Sequence, residues 1–119
     1  MPNDLDRNLK LIQGKKPDSK EEWYLAVSFT KYKIPFEFHV PIFGGLKVIQ
    51  IVDFVIYYPM AIPVQYFGPY WHEGSRKKAS DNLKLAILRH YFKQEPIVFY
   101  GAECETQEAT DKAVKRKVL

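Results

Sequence analysis

The most informative pattern along the chain is a short run that is apolar on both sides. In residues 51–57, IVDFVIY, an extended backbone puts Ile51, Val55 and Tyr57 on one face and Val52, Phe54 and Ile56 on the other. Such a run predicts a central strand covered above and below. Asp53 sits in its middle. A carboxylate buried in a central strand costs several kcal/mol unless a cation or hydrogen-bond donors compensate it. Around this strand the pattern predicts a strand over residues 36–40, a turn at Gly44-Gly45, a short strand over residues 64–67 after Pro59 and Pro63, and a further strand over residues 96–100.

Helical spacing predicts three more elements. Ser19 followed by Glu22 has the form of a capping box, and the helix it opens runs to about Tyr32, before Pro35. Leu25, Phe29, Ala26, Trp23 and Val27 form its apolar arc, and Glu22 falls within that arc. Two readings of Glu22 stay open: it closes the cap, or it points along the buried face toward Asp53. Ser80 predicts the cap of a second helix ending near Phe92, with Leu83, Ile87, Tyr91, Leu88, Phe92 and Leu85 inward. Lys84 projects close to the middle of this arc and Asp81 between Leu88 and Phe92. A first-turn lysine can leave the core or snorkel; alternatively Lys84 faces a site. Glu105 or Thr106 starts a last helix with Ala109, Ala113, Val114 and Val118 inward. The order helix, three strands, helix, strand, helix (αβββαβα) makes an α/β sandwich, a mixed β-sheet flanked by helices.

Residues 1–18 are polar and read as a flexible N-terminal arm, leaving residues 19–119 as a single domain. At 119 residues with 46% hydrophobic and 15% aromatic content, the chain can bury one core. One cysteine, Cys104, excludes an internal disulfide and a cysteine metal cluster. Net charge of +4 favours a polyanionic partner, and the Arg76-Lys77-Lys78 run, read as part of a basic loop, supplies phosphate-binding groups. No membrane partner is expected, because charges and prolines interrupt the apolar stretch over residues 46–67. The charged start, MPNDLDRNLK, lacks an apolar signal region, so a cytoplasmic location is expected.

The segment Val52-Asp53-Phe54, then residues 64–67, then Gly68-Pro69-Tyr70-Trp71-His72 resembles the restriction-endonuclease-like, PD-(D/E)XK nucleases. It is most similar to the branch of very-short-patch repair endonucleases, where an acidic strand precedes a G-x-x-W-H segment. The signature Phe67-Gly68-Pro69-Tyr70-Trp71-His72-Glu73-Gly74 is also similar to small phage-encoded nuclease-like proteins, for which the location would be the host cytoplasm. The resemblance covers nearly all of residues 19–118 and implies a restriction-endonuclease-like core. It implies that Asp53 binds Mg²⁺ or Mn²⁺, that His72 is the catalytic base, and that Glu22 matches an acid on the first helix. Two positions depart from the pattern. The second acid falls at Gln65 and the following lysine at Phe67, so the Gln65 amide and the Tyr66 carbonyl would complete the metal site, and Lys84 would supply the missing cation.

Those residue types suit phosphodiester hydrolysis, which needs a metal, a base with a pKa near that of histidine, and a cation near the developing negative charge. The expected activity is a metal-dependent DNA endonuclease acting on mismatched, nicked or branched DNA. The alternative, fed by Gln65 and Phe67, is a catalytically degenerate nuclease fold that binds DNA or protein as a phage-type accessory factor. A small-molecule enzyme is disfavoured because no Gly-rich phosphate loop is present. A homodimer is compatible with the resemblance, since many small nucleases of this fold pair to cut two strands.

Overall fold

A computed structural model describes residues 3–43, 49–68 and 75–119, the side chains of residues 75–77 excepted. The elements run β1 (Leu5–Asp6), β2 (Leu11–Ile12), α1 (Lys20–Lys31), β3 (Phe36–Phe43), β4 (Ile49–Tyr57), β5 (Ala61–Phe67), α2 (Ser75–Phe92), β6 (Ile97–Tyr100), a 3₁₀ turn (Gly101–Cys104) and α3 (Gln107–Lys117). One mixed sheet carries the order β3-β4-β5-β6, antiparallel except for the parallel pair β5–β6. This is an α/β fold with four strands in the main sheet and three helices.

The two sheet faces hold two cores. On one, Leu25, Ala26 and Phe29 of α1 and Ala113 and Val114 of α3 meet Phe36, Phe38, Phe54, Ile56, Val64 and Phe99. On the other, Leu88 of α2 packs with Ile42, Val52 and Val55. The double coverage expected for the central strand therefore holds over Val52–Ile56, whereas Ile51 and Tyr57 lie exposed at its ends.

α1 begins as its sequence predicts, with Ser19 Oγ accepting the Glu22 N–H at 3.3 Å. It ends with Ile34 N–H on Phe29 O (2.8 Å) and Lys33 N–H on Thr30 O (3.1 Å), Lys33 taking φ 58°. That is the Schellman arrangement, here without glycine. Thr106 caps α3 through the Ala109 N–H.

Two expectations about α2 need correction. The second helix starts at Ser75, not Ser80, so Arg76, Lys77 and Lys78 are helical rather than part of a loop. Arginine and lysine are good helix formers, and nothing after Ser75 breaks the helix. Its inner face is also narrower than its spacing implies: Leu88 is fully buried, but Leu83 and Tyr91 are exposed, because among the described residues α2 is the one helix packed on its side of the sheet.

Residues 3–18, expected as a loose arm, are instead tied to β3. β1 and β2 pair as a small ribbon, and Ile12 is fully buried in the larger core. Asn3 bonds Ile34 O and Phe36 N, Gln13 bonds Phe36 O and Phe38 N, and Lys15 Nζ donates to Phe38 O and His39 O, all at 2.7–3.2 Å. Side-chain amides thus occupy the outer edge of β3 as a partner strand would, which satisfies an otherwise open edge.

Candidate functional site

The site forms where the β3–β4 pair loses its regularity. Pairing runs Phe38 opposite Phe54 and Val40 opposite Val52, which sets His39 across from Asp53. Phe36 and Phe38 face α1, yet Val40 and Ile42, which share their parity, face α2. Phe54 and Val52 divide in the same way. A regular strand keeps alternate residues on one face, so both strands change face at the His39–Asp53 step. The backbone reason is His39 itself, at φ 51°. A non-glycine residue held there is strained by about 1–2 kcal/mol. The turn brings the His39 ring onto its neighbour Phe38, stacked at 3.7 Å between centroids. Lys15, clamped on the Phe38 and His39 carbonyls, holds the distortion from outside.

Four elements supply side chains to this step. Glu22, near the start of α1, is 4% exposed. Its Oε1 accepts the Asp18 N–H at 3.0 Å and lies 3.1 Å from His39 Nε2. Both readings of Glu22 are therefore partly realised, its N–H serving the cap and its carboxylate facing the cluster. Asp53 of β4, 8% exposed, takes the Tyr66 N–H on Oδ2 at 2.8 Å. Gln65 of β5 is buried, with Oε1 3.5 Å from Asp53 N. Lys84 of α2 is half-buried beside Gln50, Ser80, Leu83 and Ile87. Its charge acts on Glu22, Asp53 and His39, but among the described residues it closes no ion pair.

Electrostatically the cluster is short of positive charge. Burial pushes the Glu22 carboxyl up to about 7, against the Asp18 N–H bond, and the Asp18 charge adds to the rise. Burial likewise pushes Asp53 up to about 6, against the Tyr66 N–H bond, with Glu22 adding and Lys84 and His39 opposing. His39 is lowered by burial and by Lys15 and Lys84, against the attraction of Asp18 and Asp53. Two buried carboxyls that resist ionisation together form a place where a cation would be stabilised.

The donor set fits one. Ligating atoms of Asp18, Glu22 and His39 all lie within 4.8 Å of one another, so these three could hold a metal ion. The Asp53 carboxyl feels the Glu22 and His39 charges, and an oxygen-rich set with one imidazole suits hard divalent cations.

Of the residues singled out by sequence, Glu22, Asp53, Gln65 and Lys84 converge on this cluster. The Tyr66 backbone enters it through its N–H. The Tyr66 hydroxyl is buried and has no hydrogen-bond partner among the described residues. His72 and the Gly44-Gly45 turn lie outside the described residues, as do the side chains of Arg76 and Lys77; Lys78 is exposed on α2. Phe67, at the expected lysine position, is 6% exposed and packs against Tyr100, so apolar packing fills that place. Sequence reasoning missed His39 and Asp18. In FEFHVPIF, His39 is the out-of-phase polar residue of an alternating strand, which reads as solvent-facing, and Asp18 precedes the cap.

No protein-family model, curated protein or solved structure matches this chain. Among the described residues no helix is long and apolar enough to cross a membrane.

Proposed function

We propose that the chain is a metal-dependent DNA endonuclease of the restriction-endonuclease-like type, acting with Mg²⁺ or Mn²⁺. The observation that supports this most is the convergence of Glu22 from α1, Asp53 from β4, Gln65 from β5 and the Lys84 charge from α2 on one buried cluster. Asp53, Gln65 and Glu22 stand at positions the nuclease resemblance implies and Lys84 on the apolar arc of α2, and nothing in the hydrophobic pattern requires them to meet.

Glu22 would hold the ion together with Asp18 and His39, whose ligating atoms lie beside its own, and Asp53 and the Gln65 amide would face it from β4 and β5. When bound, a divalent ion polarises a phosphate and lowers the pKa of its water. The remaining roles belong to the chain. Lys84 stabilises negative charge developing on the phosphate, and His72 takes the proton from the attacking water. Arg76, Lys77 and Lys78, in the first turns of α2, contact the DNA backbone, so binding weakens as salt rises.

The second reading, a degenerate nuclease fold that only binds DNA or protein, is favoured by Phe67 occupying the lysine position. Nicking of supercoiled plasmid separates the two. Cleavage that requires Mg²⁺ or Mn²⁺ and disappears in Asp53→Ala is expected. DNA binding without cleavage under any divalent ion selects the second reading.

A further inference from the structure

A second feature on α1 lies outside the carboxylate cluster. Between the β1–β2 ribbon and the start of α1 is a cavity of about 490 Å³, lined among others by Leu9, Lys10, Lys16, Lys20, Trp23 and Tyr24. Its size falls in the ~300–1,000 Å³ range of sites that enclose small organic groups. Trp23 and Tyr24 are half-buried, and Trp23 is braced from behind by the larger core. The opposite wall is a fixed loop: Asp6 Oδ1 accepts both the Asn8 and Leu9 N–H groups at 3.0 Å, and Lys10 holds φ 54°.

Three lysines line this cavity together with its two aromatic rings. Other lysines are engaged within the fold: Lys31 pairs with Asp111, Lys112 with Glu108 and Lys117 with Glu103, and Lys15 bonds β3 carbonyls. Lys10, Lys16 and Lys20 are all exposed and form no ion pair among the described residues. Three uncompensated cations around two aromatic rings fit a ligand with a flat π-face and an attached anion. A nucleotide has both, and its base can stack in such a cavity only when it is unpaired.

We propose that this cavity binds an unpaired nucleotide of single-stranded DNA, the base against Trp23 and Tyr24 and the phosphates on Lys10, Lys16 and Lys20. The inference rests on the DNA reading above and deepens it: the substrate carries a single-stranded segment, engaged beside the carboxylate cluster through α1, which bears both Glu22 and Trp23.

The test is fluorescence anisotropy with a labelled oligo-dT of ~12 nucleotides, a length within the usual single-strand site sizes, in EDTA so that the carboxylate cluster plays no part. Lys16→Glu/Lys20→Glu changes only exposed positions and should weaken binding by about 10-fold or more, lowering the salt slope by roughly 1.4, since each single-strand phosphate contact contributes about 0.7. Trp23→Phe keeps a stacking face and should stay within about 3-fold of wild type, whereas Trp23→Leu should lose about 5-fold or more. Thermal melts confirm that each variant is folded. Wild-type affinity in both the lysine pair and Trp23→Leu overturns the cavity and leaves the DNA reading standing. Absence of binding to any DNA by the wild-type protein, with or without divalent metal, overturns both.

Discussion

α1 carries two buried polar clusters, and they are built on opposite principles. Toward its C-terminal half, Ser28 donates a short hydrogen bond to Asp111 of α3, and Gln107 Nε2 reaches Tyr24 O, Ser28 Oγ and Asp111 Oδ1 at 2.9–3.1 Å. Lys31 closes the set on Asp111 Oδ2 at 2.9 Å. Donors are plentiful there, and the Ser28, Lys31 and Gln107 bonds hold Asp111 below the usual carboxylate range despite its partial burial. At the other end of the same helix, Glu22 and Asp53 are buried more deeply, with a backbone N–H apiece, His39 Nε2 beside Glu22, and the Lys84 charge acting on both without an ion pair among the described residues. Their carboxyls move the other way, to about 7 and about 6. A helix interface gains from a satisfied network, whereas a cluster left short of positive charge lowers the stability of the fold and persists where a ligand supplies what is missing.

The largest contrast should appear in catalysis. Asp53→Asn keeps an oxygen for the Tyr66 N–H but removes the charge, and plasmid nicking should fall by about 10³-fold. Asp111→Asn, in the satisfied cluster, should leave nicking within about 2-fold of wild type. Equal losses in the two variants would break the distinction.

Stability against pH should separate the clusters next. Because the folded-state pKa values of Glu22 and Asp53 lie above their ordinary 4.5 and 3.8, their protonated forms favour the native state. That contribution is complete below pH ~4 and is lost as pH rises through about 6 to 7. In EDTA, urea melts should show stability declining between pH 5 and 8 by on the order of 3 kcal/mol. The double variant Glu22→Gln/Asp53→Asn should give a flat profile over that window. Asp111, with a lowered pKa, behaves oppositely: its contribution is present above its ordinary 3.8 and disappears only as pH falls further. A wild-type profile already flat from pH 5 to 8 would mean that the Glu22–Asp53 cluster is not short of charge.

Lys84→Met tests the Lys84 charge that acts on the cluster. It retains the apolar stem beside Leu83 and Ile87, so the fold should survive, while cleavage should drop by on the order of 10²-fold. Unchanged cleavage would remove Lys84 from the site. The smallest effect should come from Asp111→Ala. It strands Ser28 Oγ and Lys31 between α1 and α3, and should cost about 1–2 kcal/mol in urea unfolding at pH 7. A cost near zero would show that the interface relies on Phe29 and Val114 packing alone.

The readable part of this protein was its periodicity. The caps at Ser19 and Thr106, the doubly covered strand around Asp53 and the element order from α1 to α3 all follow from local spacing, because helix and strand repeat at 3.6 and 2 residues and burial selects one phase of each. The misplaced carboxylates Glu22 and Asp53 were legible for the same reason, as breaks in an apolar phase. What local spacing could not carry was anything decided by a second segment. Asn3, Gln13 and Lys15 look like a polar arm until β3 presents an open edge whose carbonyls and N–H groups they satisfy. His39 looks solvent-facing until its positive φ turns it off the strand's alternation, and that conformation is held by Lys15, Phe38 and Glu22 from three separate stretches of chain. Backbone strain at a single residue leaves no trace in composition or period. It is set by contacts distant in sequence, so the His39–Asp53 step that organises the site existed only once the tertiary structure had formed.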